Sequence, residues 1–146
     1  MKVNTDAQKI EELLTRGVDE IIGSKELKEK LLSGKKLRVK LGIDPTSPNL
    51  HLGRSVPLLK LRDFQELGHQ VVFIVGDFTG VIGDTSDKES ERPMLSVAQV
   101  KTNLKNYKEQ VAKLTDISKA EIKFNSKWLA KLDYNDVGEH ANQFSL

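Results

Sequence analysis

The sequence contains no cysteine, and this absence excludes two kinds of structure. A chain without cysteine has no disulfide bonds and no thiolate metal site. Its three histidines, His51, His69 and His140, lie too far apart in the sequence to match the spacing of metal ligands. We therefore expect neither a covalent cross-link nor a protein-bound metal.

Long apolar runs and a strong charge of one sign are missing as well. The mean hydropathy is -0.42 and the N-terminal region is rich in lysine, which excludes a transmembrane helix and a signal peptide. The net charge of +2 is too small to indicate nucleic-acid binding by itself. With 146 residues, of which 38% are hydrophobic, the chain suits one soluble, cytoplasmic domain without membrane contact.

Hydrophobic periodicity predicts a helical segment at the start of the chain, residues 1–36. Apolar residues recur at helical spacing between Ile10 and Ile22 and again between Leu27 and Leu32. Ser24 is the candidate N-cap of the second helix. The basic residues of this region are interleaved with glutamates, which is typical of a solvated helix.

Residues 37–146 have the pattern of an α/β fold. Residues 37–43 alternate as a strand does, and residues 71–75 form an apolar run suited to a strand buried on both faces. The helix between them has an apolar stripe from Val56 to Leu67 and ends at Gly68. A helix at 97–114, a strand at 121–124 and a short helix at 128–132 follow. The crossover predicts a parallel sheet flanked by helices.

The turn between the first strand and its helix, residues 43–54, has the composition of a ligand site. In open α/β sheets, ligands bind at the carboxyl ends of strands, where a helix N-terminus favours anions. His51 and Arg54 are three residues apart, so on a helix both could donate to phosphate oxygens. A simpler interpretation makes Asn49 a helix cap, His51 a surface residue and Arg54 a partner of Asp44, and spacing alone favours it.

Two blocks of sequence carry a family resemblance. They are Gly42-Ile43-Asp44-Pro45-Thr46 with Leu50-His51-Leu52-Gly53, and Gly76-Asp77-Phe78-Thr79-Gly80-Val81-Ile82-Gly83-Asp84. The first resembles the His-x-Gly-His signature of class I aminoacyl-tRNA synthetases in its tyrosine-specific form, and the second is similar to the segment that follows in bacterial tyrosine enzymes. Tryptophan enzymes usually have Gln in place of Asp44, so tyrosine is the better match. The similarity runs from about Arg16 to the last residue.

The resemblance implies a fold and a reaction. Residues 37–146 would form the first half of a Rossmann-like catalytic domain. The full-length enzyme would use ATP, together with Mg2+, to convert L-tyrosine to tyrosyl-adenylate and then charge tRNA(Tyr). Family members are at least twice as long, so we expect a truncated chain that self-associates or dimerises and does not charge tRNA alone. A noncatalytic adenine-nucleotide or tRNA-associated binding module, or a structural remnant, is the alternative.

The resemblance also implies roles for individual residues. Lys88 and Arg92 match cations of a mobile loop, residues 85–93, that contacts pyrophosphate, and Asp84 matches the carboxylate that receives the tyrosine ammonium. The catalytic candidates are His51, Arg54, Lys88 and Arg92. The candidates for ATP binding are Asp44, Pro45, Thr46, His51, Gly53 and Arg54. The candidates for tyrosine binding are Gly42, Asp44, Thr79 and Asp84.

The sequence departs from the family pattern at two positions. Arg54 stands where the family usually has its second signature histidine, and Lys40 stands where many bacterial members have a tyrosine that meets the substrate phenol. Outside the two blocks, Tyr107 and Trp128 are interpreted as core residues or as part of a dimer-forming region. His69 is interpreted as a loop residue.

Overall fold

The computed structural model of the chain describes residues 2–82, 94–105 and 107–144. Two short 3-10 turns, Thr79–Val81 and Ile117–Lys119, accompany its regular elements. In chain order these elements are α1 (Ala7–Thr15), α2 (Ser24–Leu32), β1 (Arg38–Ile43), α3 (Leu52–Glu66), β2 (Gln70–Val75), α4 (Val97–Leu104), α5 (Tyr107–Ala112), β3 (Glu121–Phe124), α6 (Ser126–Leu129) and α7 (Tyr134–Ala141).

The three strands form a parallel sheet in the order β1-β2-β3. Ile43 of β1 is level with Val75 of β2, which in turn is level with Phe124 of β3. All three strands therefore end at the same edge of the sheet, and the segments that follow them converge there. The predicted α/β class, with a parallel sheet flanked by helices, is confirmed.

Two hydrophobic clusters hold the elements together. The larger one joins the sheet to α3 and α5, and the smaller one joins α1 and α2 to the end of α3. Helix α3 contributes to both clusters, so it fixes the position of the N-terminal helices relative to the sheet. The buried members are Ile43, Leu58, Phe73, Val75, Tyr107 and Val111 in the larger cluster, and Ile10, Leu13, Leu31 and Leu67 in the smaller one.

The first of the two N-terminal helices is shorter than the periodicity predicts. Helix α1 ends at Thr15, and Gly17 follows with a positive φ of 64°, which a continuing right-handed helix does not allow. Ile22, which the pattern places on the apolar stripe, is 95% exposed. The predicted cap at Ser24 is wrong, because Gly23 holds the N-cap position with φ 73° and Ser24 is the first helical residue.

Helix α3 ends where the sequence predicts, at a glycine with φ 92°. A Cβ at Gly68 would lie 2.9 Å from the carbonyl oxygen of Lys2, so both the conformation and the close chain contact require glycine. The single helix predicted at 97–114 is wrong, since α4 and α5 occupy that stretch. Leu104 and Tyr107 pack in the same cluster, which explains why the apolar pattern continues across the boundary.

The short helix predicted at 128–132 begins two residues earlier, as α6. It is followed by α7, whose N-terminus has a capping box formed by Asp133 and Asp136. Within the described ranges, no helix is both long enough and apolar enough to cross a membrane.

Candidate active site

A cleft of about 570 Å3 opens at the carboxyl ends of β1 and β2. Its volume lies in the range of natural ligand sites, roughly 300 to 1,000 Å3. The walls come from β1, the turn that follows it, the first turns of α3 and the segment after β2. The lining residues are Leu41, Gly42, Ile43, Asp44, Thr46, Arg54, Pro57, Thr79, Gly80 and Ile82.

A chain of hydrogen bonds connects the residues that follow the three strands. The Thr79 hydroxyl donates to Asp44 Oδ1 at 2.6 Å, and Asn125 Nδ2 donates to Thr79 Oγ1 at 2.8 Å. The backbone N–H of Phe78 donates to Asn125 Oδ1 at 2.9 Å. The carboxylate of Asp44 is thus held in one orientation at the cleft wall, which is useful for binding a cationic group.

Gly76 makes this arrangement possible. A Cβ at this position would lie 1.6 Å from Asp44 Oδ1 and 2.5 Å from Thr79 Oγ1, so any side chain would displace both groups. Its backbone N–H donates to the carbonyl of Ile43 at 3.0 Å. Gly80 packs in a similar way against the ring of the buried Pro45, since a Cβ at Gly80 would lie 3.2 Å from Pro45 Cδ.

Arg54 binds the turn between β1 and α3 through its guanidinium group. Nη1 donates to the backbone carbonyl of Asp44 at 2.9 Å and to the hydroxyl of Tyr107, and Nη2 donates to Thr46 Oγ1 at 2.8 Å. The simpler interpretation, in which Arg54 is a partner of Asp44, therefore holds in part, because Arg54 contacts this residue but not its carboxylate. The guanidinium is bound to the backbone of that residue instead.

Two amide side chains also bind the same turn. Asn103 Nδ2 of α4 donates to the carbonyl of Pro45 at 2.9 Å. Gln110 of α5 donates to the carbonyl of Pro48 at 3.0 Å and accepts from the N–H of Leu50 at 2.8 Å. These bonds satisfy backbone groups in a segment that has no regular secondary structure.

His51 is the N-cap residue of α3 and is exposed. Within the described part of the chain its side chain makes no capping bond, and the cap that the simpler interpretation gives to Asn49 is wrong. A Cβ at Gly53 would lie 3.0 Å from Cε1 of the His51 ring, so glycine lets this ring lie close to the first helical turn. The ring and the free N–H groups of that turn together form a suitable environment for an anion.

The structure brings together many of the residues that the sequence singles out. Five of them line the cleft, Pro45 is buried beside it, and His51 and Gly53 lie at the start of α3. Asp84, Lys88, Arg92 and the predicted mobile loop at 85–93 lie outside the described residues. The five cleft residues are Gly42, Asp44, Thr46, Arg54 and Thr79.

Several residues that support the site are not recognisable from the sequence patterns used above. Asn125 directly follows a predicted strand, and the rule that ligand sites lie at the carboxyl ends of strands is a signal that could have identified it. Asn103 and Gln110 carry no such signal, because a polar residue on an amphipathic helix normally faces solvent. Tyr107 is a core residue, as the sequence predicts, but its hydroxyl contact with Arg54 is not predictable from spacing.

His69 lies in the loop between α3 and β2, as the sequence predicts. Its side chain is nevertheless buried, only 4% exposed, and its Nδ1 accepts the N–H of Leu37 at 3.3 Å. Burial, and secondarily the charge of Lys36, lowers the pKa of its imidazole. Trp128 is 44% exposed, so its interpretation as a core residue is wrong, while its place in a dimer-forming region stays a prediction.

Comparison with known proteins identifies the family to which the chain belongs. The family model described as "tRNA synthetases class I (W and Y)" matches residues 32–146. A tyrosine-tRNA ligase of Dehalococcoides mccartyi is 49% identical over 144 residues, covering 99% of this chain and 36% of the relative. One from Aromatoleum aromaticum is 56% identical over 142 residues, covering 97% of this chain and 36% of the relative. The chain thus spans about a third of the length of these curated relatives.

Solved structures match the same fold. Tyrosyl-tRNA synthetase from Archaeoglobus fulgidus, in complex with L-tyrosine, superposes with a TM-score of 0.76 at 24% identity, covering 96% of this chain and 41% of that one. The tyrosyl-tRNA synthetase from Aeropyrum pernix superposes with a TM-score of 0.73 at 20% identity, covering 97% of this chain and 41% of that one. Because the family model covers most of the sequence, the chain belongs to the class I tRNA synthetases of the tryptophan and tyrosine group.

Proposed function

We propose that the chain is part of a tyrosine-tRNA ligase. The full-length enzyme would activate L-tyrosine with ATP to tyrosyl-adenylate and transfer the tyrosyl group to tRNA(Tyr). The observation that carries this proposal is the cleft in which residues of two separate sequence blocks meet, Asp44 and Thr46 from the first and Thr79 from the second. The tyrosine-tRNA ligases that are 49% and 56% identical to the chain support the choice of amino acid.

The ATP phosphates would bind at the start of α3. His51 is exposed there, beside the free N–H groups and the positive end of the helix dipole. Arg54 lines the cleft and would contribute its charge to the same phosphates. The backbone of Asp44, Pro45 and Thr46 would form one wall, with Gly53 permitting close approach. Donors fixed in this way stabilise the charge that develops in the transition state.

Magnesium would enter with ATP as part of the substrate. Among the described residues, no group of three or more potential ligands is arranged to hold a metal ion. Mg2+ in nucleotide sites is commonly bound by one or two carboxylates together with phosphate oxygens. The carboxylate of Asp44 is assigned below to the tyrosine ammonium, so Mg2+ would be held by the phosphate oxygens of ATP and by water.

The tyrosine ammonium would bind near Asp44 and Thr79, with Gly42 leaving room beside β1. Asp84 is proposed as a second carboxylate for the ammonium, and Lys88 and Arg92 as contacts of the leaving pyrophosphate. The carboxylate of the amino acid would then attack the α-phosphate in line, and the protein would contribute mainly orientation and electrostatic stabilisation. We also propose that residues 37–146 form the first half of the catalytic domain and that the enzyme is a cytoplasmic homodimer.

Calorimetric titration of the 146-residue chain with ATP, L-tyrosine and tRNA(Tyr) tests this function. We expect heat from ATP and from L-tyrosine. Asp44→Asn should weaken L-tyrosine more than ATP, because it removes the charge that complements the ammonium. Glu139→Gln, on the exposed surface of α7, is the control. Binding of ATP or tRNA without L-tyrosine would favour the binding module, and no binding at all would favour the structural remnant.

A further inference from the structure

Arg54 makes an unusual set of contacts for a residue at a phosphate-binding helix terminus. Three of its hydrogen bonds go to protein groups, namely the Asp44 carbonyl, the Thr46 hydroxyl and the Tyr107 hydroxyl. We propose that Arg54 is a positioning residue that, together with Tyr107, locks the turn at residues 44–46 to the core. This inference rests on the proposed function, since that turn forms a wall of the proposed ATP site.

The chemistry of the side chain supports this role. A guanidinium group carries five N–H donors in a rigid planar fork, and here Nη1 and Nη2 reach three acceptors in different directions. The histidine usual at this position in the family offers at most two ring N–H donors on a shorter side chain. Lysine keeps the charge but lacks the planar fork. Of the natural side chains, arginine therefore suits this set of acceptors best.

The hydroxyl of Tyr107 is a fixed point to which Arg54 binds, because the ring is held in the core. The side chain of Tyr107 is 3% exposed and packs in the larger hydrophobic cluster with Ile43, Phe73 and Val111. Close packing fixes the position of the ring and therefore of its hydroxyl. Arg54, which is bonded to both the hydroxyl and the turn, holds the turn in place relative to the ring. Asn103 and Gln110, from the same pair of helices, bind the turn at the carbonyls of Pro45 and Pro48.

The lock leaves part of the guanidinium for another partner. Two of the five N–H groups of Arg54 are not used by these three bonds, and the residue lines the cleft. Arg54 can therefore contact a phosphate and hold the turn at the same time, but the two roles lead to different expected effects of substitution. A residue that acted only through its charge would tolerate Arg54→Lys and would be insensitive to the hydroxyl of Tyr107.

Tyr107→Phe tests the lock because it keeps the packed ring and the charge of Arg54. Hydrogen exchange at the Thr46 amide, which donates to the Asp44 carbonyl at 2.9 Å, reports the order of the turn. NMR signals of the guanidinium Hη protons report whether Arg54 is held. We expect faster exchange at Thr46, merged Hη signals and ATP affinity lower by about three- to tenfold, the change expected for one hydrogen bond. L-tyrosine affinity should fall less, because the carboxylate of Asp44 is held separately by Thr79.

Three further variants complete the experiment. Tyr134→Phe removes the hydroxyl of a tyrosine that is 91% exposed and should behave as wild type. Arg54→Lys should speed Thr46 exchange and lower ATP affinity at least as much as Tyr107→Phe, because it removes the guanidinium that makes all three bonds. The double variant should lose little more than Arg54→Lys alone, since the bond to Tyr107 is already absent there. Circular dichroism shows whether each variant is folded. If Tyr107→Phe does not fold, Thr46 exchange in Arg54→Lys decides whether the lock exists.

The possible results separate this proposal from the proposed function. If Tyr107→Phe leaves Thr46 exchange and the Arg54 Hη signals at wild-type values, and Arg54→Lys also leaves Thr46 exchange unchanged, the lock does not exist. If the wild-type chain binds no ATP, the proposed function fails while the exchange and Hη measurements still decide whether the lock is present.

Discussion

At the scale of single residues, the site depends on contacts that tolerate little change. The side chains of Asp44 and Thr79 are held against Gly76, and the amide of Asn125 completes the hydrogen-bond chain. Asp44, Thr79 and Asn125 each follow a different strand of the sheet, so their alignment depends on the parallel register. The geometry of the candidate site is therefore a consequence of the sheet edge rather than of one local motif.

Gly76→Ala should disrupt the site more than its size suggests. The added methyl group would overlap Asp44 Oδ1, at 1.6 Å, and force the carboxylate away from Thr79. We expect a loss of about 1 to 3 kcal/mol in the free energy of unfolding, typical of overpacking, together with weaker L-tyrosine binding. Urea denaturation and calorimetry measure the two effects.

The matched control for this change is Gly138→Ala, in α7, where a Cβ would meet nothing within 4 Å. It should leave the stability unchanged or raise it by up to about 1 kcal/mol, because alanine is the better helix former. Wild-type stability and L-tyrosine affinity in Gly76→Ala would show that Asp44 does not occupy the position described.

His69 should make the stability depend on pH. Its pKa in the folded chain is lowered by burial and by Lys36, so the unfolded chain takes up the proton more readily. The neutral form supports folding, and its contribution is complete above the ordinary histidine pKa of about 6.5 and decreases as the pH falls below it. We expect the free energy of unfolding to decline between about pH 7 and pH 5.

Urea denaturation of His69→Gln and His140→Gln across this pH range tests the assignment. The decline should be smaller in His69→Gln, which cannot take up the proton, and should persist in His140→Gln, which changes an exposed residue of α7. An equal decline in both variants would exclude His69 as its source.

At the scale of elements, the sequence predicts strands better than helix boundaries. The strand β2 is recognisable because both of its faces are covered, which produces a continuous apolar run from Val71 to Val75. The end of α1 is not recognisable from the sequence, because the helical spacing continues beyond Gly17, where the chain turns, through Val18, Ile21 and Ile22. The contacts of the α4 and α5 amides with the turn after β1 depend on tertiary packing, which periodicity does not contain.

Helix α3 connects the site to the N-terminal helices through Lys60. Its Nζ donates to the carbonyls of Leu13 at 2.8 Å and Arg16 at 2.7 Å, at the C-terminal end of α1. This ammonium satisfies free carbonyls and complements the negative end of the helix dipole. Lys60→Met, which keeps most of the apolar stem, should lower the free energy of unfolding by about 1 to 3 kcal/mol.

Urea denaturation of Lys60→Met and of the control Lys101→Met, at an exposed position of α4, measures this contribution. Increased hydrogen exchange in α1 should accompany the loss in Lys60→Met. A change no larger than that of the control would mean that the apolar contacts of Ile10 and Leu13 are sufficient to hold the helix.

At the scale of the whole molecule, the C-terminal part presents apolar surface to solvent. Every residue of α7 is exposed; Tyr134 is 91% and Val137 52% exposed, and Phe144 beyond the helix is 77% exposed. Exposed apolar side chains of this kind favour association when they form a patch. We expect sedimentation experiments on the 146-residue chain to show a concentration-dependent dimer or larger species.

A variant with Tyr134→Ser and Val137→Ser tests whether this surface is responsible. It should shift the sedimentation equilibrium towards monomer without changing the circular dichroism spectrum, because neither side chain is buried. A wild-type chain that is monomeric at every concentration would contradict the prediction.

The central claim is that one cleft at the edge of the sheet binds both ATP and L-tyrosine. NMR titration of the isotopically labelled chain with each ligand tests it most directly, because backbone amide shifts locate binding residue by residue. L-Tyrosine should shift the amides of Gly42, Asp44 and Thr79, and ATP should shift those of Thr46 and Gly53, with α7 unaffected by either. Shifts confined to other parts of the chain, or no shifts at millimolar concentrations of either ligand, would contradict the account.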